Sequence, residues 1–168
     1  MAKPTGLFLG RFQPFHNGHM LVIQGMTKMC GRIVVAICNA NESNTADEPF
    51  TAAERRDMMQ RALQAKDIIP TCDVVFIEVP DMASDEEWVK KTLELCEGPV
   101  QQVWTGNERT KKSFEGKGLE VKWIKEVPGL SATEVRKRIK TGGDWKSLVP
   151  EEVAASINAI EGVARIKK

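Results

Sequence analysis

The sequence predicts a doubly wound α/β domain with a five-stranded, mainly parallel sheet and a helical C-terminal segment over about residues 131–168. Three observations carry that expectation. Strand-like and helix-like patterns alternate along the chain, as parallel strands joined by right-handed crossovers require. Arg32 to Cys38 reads RIVVAIC, a nearly continuous β-branched run of the kind found in a strand covered on both faces. The 168 residues suffice to bury one sizeable core, and no repeat or low-complexity stretch divides them, so residues 1–168 are read as one domain.

The elements follow in order. Thr5 to Gly10 (TGLFLG) is a short apolar run ending in glycine. Gly18 to Cys30 carries Val22, Met26 and Met29 at spacings of four and three, a helical stripe. After the RIVVAIC strand, the irregular stretch from Asn39 to Pro49 is long for a connection in such a fold, and reads equally as a functional loop or a solvated one. Thr51-Ala52-Ala53-Glu54 is a capping box that opens a helix to Ala65. Asp73 to Val79 (DVVFIEV) is a strand. Ser84-Asp85-Glu86-Glu87 is a second capping box, with Val89, Leu93 and Cys96 on one helical face behind it. Val100 to Thr105 and Leu119 to Lys125 read as the fourth and fifth strands. Ser131-Ala132-Thr133-Glu134 is a third capping box, followed by Val135 and Ile139. Pro150 at a first helical position starts a last helix striped by Val153, Ile157 and Ile160, and Gly162 stops it.

Composition excludes several classes. Lys plus Arg is 24 against 23 Asp plus Glu, a formal charge of +1, which argues against a nucleic-acid-coating protein. No apolar run approaches the ~20 residues that span a bilayer, and the first residues run straight into a strand without a secretory leader, so a cytoplasmic location is expected. Cys30, Cys38, Cys72 and Cys96 form no CxxC pair and have no partner histidines at finger spacing. They read as reduced, partly buried thiols, and no protein-held metal is expected.

Chemistry concentrates after the first strand, because open parallel sheets bind ligands beyond the carboxyl ends of their strands. The loop there reads Gly10-Arg11-Phe12-Gln13-Pro14-Phe15-His16-Asn17-Gly18-His19 and contains the only two histidines of the chain. If a helix starts near Asn17 or Gly18, His16 and His19 share a face. Free N–H groups at that helix start attract anions, and Gly18, lacking Cβ, admits a ligand close to the backbone. The pattern is a phosphate cradle without a Walker lysine. Neither GxxxxGK[ST] nor GxGxxG occurs. A second constellation, Ser131-Ala132-Thr133-Glu134-Val135-Arg136, offers two uncapped amides with Arg136 one turn inside; Glu134 is expected to fold back onto the backbone. Alone, it reads rather as a capped surface helix with a solvated basic face, because capping boxes are common.

Together these segments resemble the HxGH and [ST]xTxxR motifs of the nucleotidyltransferase superfamily, a Rossmann-like fold. GRFQPFHxGH near the N-terminus, PFTAAER at 49–55, Trp88-Val89, TGN at 105–107 and SATEVRKRI make the chain similar, over nearly its whole length, to archaeal-type nicotinamide-nucleotide adenylyltransferases. The resemblance implies transfer of the adenylyl group of ATP to nicotinamide mononucleotide by direct in-line displacement, giving NAD and pyrophosphate, with Mg²⁺ carried on the ATP phosphates. It implies an ATP site of Gly10, Arg11, Phe12, His16, Gly18, His19, Gly106, Asn107, Ser131, Thr133 and Arg136. Of these His16, His19, Arg11 and Arg136 would be catalytic. The acceptor site would comprise Phe15, Asn39, Asn41 and Trp88. Trp88 lies about 100° round a helix from Val89, so it flanks the core stripe. The family also implies a homo-oligomer, often a hexamer. The chain departs from family patterns at Cys38–Asn44 and at Glu108-Arg109-Thr110, both in substrate-facing loops. A sibling transferase acting on nicotinate mononucleotide, FMN or phosphopantetheine, and a non-catalytic nucleotide sensor, are the competing readings.

Overall fold

A computed structural model describes residues 2–168. Five parallel strands are ordered β3-β2-β1-β4-β5: β1 (Thr5–Gly10), β2 (Arg32–Cys38), β3 (Asp73–Val79), β4 (Gln102–Thr105) and β5 (Glu120–Trp123). The order reverses between β1 and β4, and the crevice at that switch is where the fold leaves room for a ligand. Helices α1 (Asn17–Met29), α2 (Ala52–Ala65), α3 (Asp85–Leu95) and α4 (Glu108–Phe114) make the crossovers, and α5 (Ala132–Thr141), α6 (Glu151–Ala159) and α7 (Gly162–Lys167) follow β5.

The period-two alternation of the strands splits the core in two. Phe8, Ile33, Val35 and Ile37 face the layer that contains α1, α2 and the C-terminal helices. Leu7, Leu9, Val34, Ala36 and Val103 face Val89 and Cys96 of the α3 side and Phe114 of α4. Every residue of β2 after Arg32 is buried, as its continuous apolar run predicts.

Local sequence signals hold at helix starts but not always in the expected form. Thr51, Ser84 and Ser131 each accept from the backbone N–H three residues on. The reciprocal half of the box is missing at all three; Glu54 pairs instead with Arg165 of α7 and Glu134 with Arg138. Pro150 is the N-cap of α6 rather than its first residue, with extended backbone. Gly162 does not stop α6. The break falls at Glu161, in the left-handed region at φ 57°, and Gly162 opens α7. A Cβ on Gly162 would lie 2.8 Å from the Phe50 ring and 2.9 Å from Ile157, so the glycine permits α7 to dock. Helix α4 carries no apolar stripe and is absent from the sequence pattern; the Asn107 side chain starts it by accepting from the Thr110 N–H.

One buried cation organises the ligand side of the sheet. Arg55 of α2 is fully buried. Its Nη1 donates to the carbonyls of Arg11 and Cys38, both at 2.8 Å; Nη2 donates to those of Asn39 and Glu42; Nε donates to Thr51. The loops after β1 and β2 are thereby tied to one side chain. Burial pushes the Arg55 pKa down, opposed chiefly by the Glu48 carboxylate. An orphaned buried carbonyl costs about 1–3 kcal/mol, and Arg55→Met orphans several. We expect it to lower the free energy of unfolding by about 3 kcal/mol or more, read as a shifted urea midpoint; an unchanged midpoint would refute the clamp.

Candidate active site

The loop after β1 reaches α1 through a histidine. His16 is the N-cap of α1, and its Nδ1 accepts from the backbone N–H of Gly18 (3.0 Å) and His19 (3.4 Å). The His19 ring returns the favour: its Nδ1 accepts from the His16 N–H at 3.1 Å. This is a reciprocal capping box built from two imidazoles. It revises the expectation of free amides at this helix start, since the histidine rings occupy the Gly18 and His19 donors. Gly18 serves this cap directly, because a Cβ there would sit 2.9 Å from His16 Cε1.

The two rings stack at 3.6 Å with 24° between planes, and Phe15 stacks behind His19 at 5.5 Å. With Nδ1 accepting on each ring, the neutral imidazoles carry their protons on Nε2. Burial lowers the His16 pKa to about 4. Burial, and then the neighbouring His16, hold His19 well below the ordinary histidine value. Both histidines are therefore neutral Nε2–H donors at pH 7.

They open into a cavity of about 480 Å³ whose opposite wall is the start of α5. Ser131 Oγ caps the Glu134 N–H, which leaves the amides of Ala132 and Thr133 at the wall. Arg136, largely buried, donates from Nη1 to the Gln13 carbonyl at 2.8 Å, and its Nη2 lies 3.5 Å from Thr133 Oγ1. Gln13 in turn exchanges two hydrogen bonds with the Phe50 backbone, each 3.0 Å. Burial lowers the Arg136 pKa; Asp47 opposes that shift and the Arg11 cation adds to it. Arg11 and Arg136 thus sense each other across a cavity in which a polyanion would relieve their repulsion. The two helix starts, 115 residues apart between His16 and Ser131, share one cavity.

A second cavity of about 390 Å³ adjoins the first, and Leu9, Arg11, Thr105 and Asn107 line both. Its walls include Gly10, Asn39 and Trp88. The Trp88 ring is half-buried and meets Phe114 edge-on at 5.7 Å and 72°.

The structure thus brings Arg11, Phe12, His16, Gly18, His19, Gly106, Asn107, Ser131, Thr133 and Arg136 to the first cavity, and Asn39 and Trp88 to the second. Gly10, read from sequence with the ATP site, lies on the second cavity because the Phe12 ring folds back beneath it. Phe15 and Asn41, read as acceptor residues, line neither. Phe15 is fully buried behind His19, and the Asn41 side chain accepts from the Asp81 N–H, tying the 39–49 loop to the end of β3. Sequence reasoning overlooked Thr105, shared by both cavities, and Asp85 and Arg109 in the second. Position at a strand end could have flagged Thr105; Arg109 is marked in the sequence only as part of a departure from the family pattern in a substrate-facing loop, and nothing local marks Asp85.

The Cytidylyltransferase-like family matches residues 7–138. The nicotinamide-nucleotide adenylyltransferase of Methanococcus aeolicus is 38% identical over 168 residues, covering 96% of this chain and 92% of the relative. That of Thermococcus kodakarensis is 36% identical over 166 residues, covering 96% and 86%. Among solved structures, a bifunctional NMN adenylyltransferase/ADP ribose pyrophosphatase from Francisella tularensis superposes with a TM-score of 0.82 at 18% identity. The match covers 96% of this chain and half (50%) of that one. The Plasmodium falciparum nicotinic acid mononucleotide adenylyltransferase gives 0.67 at 14%, covering 96% and 98%; both likenesses speak to the fold. The chain belongs to the cytidylyltransferase-like family and, within it, groups with the nicotinamide-nucleotide adenylyltransferases of archaea.

Proposed function

We propose that the protein transfers the adenylyl group of ATP to nicotinamide mononucleotide, forming NAD and releasing pyrophosphate. The observation that carries this reading is the pair of cavities meeting at Arg11, Thr105 and Asn107. One is walled by phosphate-binding groups and the other by an aromatic ring, so two nucleotides can place their phosphates side by side at the shared rim. The similarity to the archaeal enzymes supports ATP and nicotinamide mononucleotide as the pair.

In this reading the triphosphate lies between the α1 and α5 starts. An acceptor phosphate oxygen attacks the α-phosphorus, the bond from that phosphorus to the α,β-bridging oxygen breaks, and pyrophosphate leaves with the electron pair. The attacking group is already an anion, so no general base is needed. What remains for the protein is positioning and charge stabilisation. His16 and His19 donate from Nε2 to the oxygens of the reacting phosphorus. Arg11, at the rim, holds both phosphates. Arg136, the Thr133 hydroxyl and the α5 amides hold the leaving pyrophosphate. Gly106 and Asn107 flank the adenosine, and Trp88 and Asn39 the pyridine nucleoside. Magnesium would enter as part of the substrate, the magnesium–ATP complex, held through the ATP phosphates.

A reducing, cytoplasmic setting is part of the proposal, supported by four free thiols of which Cys30, Cys38 and Cys96 are buried. No described helix is long and apolar enough to cross a membrane. A homo-oligomer, a hexamer by family resemblance, is likewise proposed, and sedimentation equilibrium reads it.

The direct test is pyrophosphate release from ATP with a panel of acceptors: release with nicotinamide mononucleotide is expected, and release with none would favour a nucleotide sensor. His19→Ala should lower kcat by roughly 10²–10³-fold, the usual loss for one transition-state donor, and unchanged turnover would remove His19 from the mechanism. The tautomers predict a pH effect. The His16 pKa in the fold, about 4, lies below the ~6.5 of an unfolded chain, so the unfolded state binds the proton more readily between them. Stability is full above pH ~6.5 and falls as pH drops toward 4, and ¹⁵N spectra at pH 7 should show both rings protonated at Nε2. A ring protonated at Nδ1 would refute the capping geometry.

A further inference from the structure

The second cavity contains a charge arrangement that the adenylyl transfer itself does not use. Asp85 opens α3, one turn before Trp88, and so shares its helical face. Arg109 comes from the first turn of α4. Its Nε donates to both carboxylate oxygens of Asp85 (3.1 and 3.3 Å) and its Nη2 to Oδ1 at 2.8 Å, a side-on fork. Both residues line the cavity beside Trp88, with Asp81. The Asp81 carboxylate is fixed by accepting from the Met82 N–H at 3.1 Å.

The electrostatic consequence concerns the acceptor ring. The Trp88 ring, Asp81, Asp85 and Arg109 line one cavity, so a planar pyridine that stacked on Trp88 would have its ring substituent among the charged groups at the starts of α3 and α4. A carboxylate there would meet the like charges of Asp81 and Asp85, while the Arg109 fork that would suit a carboxylate is already engaged. A neutral amide meets no such penalty; the positive charge of the pyridinium ring is common to both acceptors, so the discrimination lies in the substituent alone. The Arg109 side chain is 80% exposed and that of Asp85 49%, so the pair is held weakly and the guanidinium is free to turn into the cavity once its partner is gone.

We propose that the Asp85–Arg109 pair sets the choice between amide and acid on the acceptor ring: by engaging Arg109, Asp85 withholds it from an anionic substituent and favours nicotinamide over nicotinate mononucleotide. This rests on the adenylyl-transfer reading above and names the acceptor specificity of that same site. Asp85 and Arg109 are specificity determinants here, touching the ring substituent and not the reacting phosphates.

The test is the ratio of kcat/KM for nicotinate over nicotinamide mononucleotide. The wild type should favour the amide. Asp85→Asn should raise the ratio about fivefold, the factor that opposite unit charges ~4 Å apart gain in water. Arg109→Ala, which leaves the Asp85 charge uncompensated, should not raise it, and the double variant, which removes both charges, should fall back to within about twofold of the wild-type value. A wild type that favours the acid, an Asp85→Asn ratio equal to the wild-type one, or a rise that persists in the double variant would each overturn the proposal. Pyrophosphate release by the wild type with neither acceptor would instead overturn the reading of the reaction, so the two failures are distinguishable.

Discussion

A guanidinium with no access to solvent stands at the base of this site. Arg55 reaches from α2 to backbone carbonyls of the β1 and β2 loops, and those loops supply Arg11 to both cavities and Asn39 to one. Carbonyls at strand ends must find donors when buried, and one arginine with five N–H groups in a rigid fork can satisfy several at once. The desolvation cost is met by these bonds and by Glu48, whose carboxylate also accepts from Asn39 and lies 3.9 Å from Arg11. Packing, charge and loop shape in this corner are therefore one problem with one solution.

The histidine pair shows how a chain uses the same atoms for structure and chemistry. Each Nδ1 ends a backbone donor's search for a partner, and that fixes the tautomer that aims Nε2–H at the cavity. Burial keeps both rings neutral donors, reinforced at His19 by the neighbouring His16 at 3.6 Å, while positive charge comes from Arg11 and Arg136. In the proposed reaction, preorganised neutral donors and separate cations would divide the work between orientation and field.

Much of this was readable from the residues. The continuous run of β2, the alternation of elements and the glycine-bounded His-x-Gly-His turn follow from local rules, and the structure keeps them. What escaped depends on partners distant in sequence. Arg55 and Arg56 are adjacent arginines on one helix; the first is buried among loop carbonyls and the second lies over Phe76 at 5.7 Å, and no local pattern separates them. The capping-box glutamate Glu54 is claimed by Arg165, 111 residues on. Helix α4 begins at Asn107, which the motif marks only as a pocket residue, and its seven residues are too few for a periodic stripe. Phe15 reads, from the family resemblance, as an acceptor-site residue, yet its ring is fully buried and stacks behind His19.

The docking of α7 has a consequence for how the protein comes into being. Gly162 seats this helix on Phe50, Arg165 grips Glu54 and the Pro49 carbonyl, and Phe50 is hydrogen-bonded to Gln13, whose carbonyl receives Arg136. Translation delivers residues 162–167 after every group they brace. A nascent chain that has already paired its strands still has the 49–50 corner unbraced until residues 162–167 are made, so the cavity wall that Gln13 and Arg136 form becomes rigid only after them.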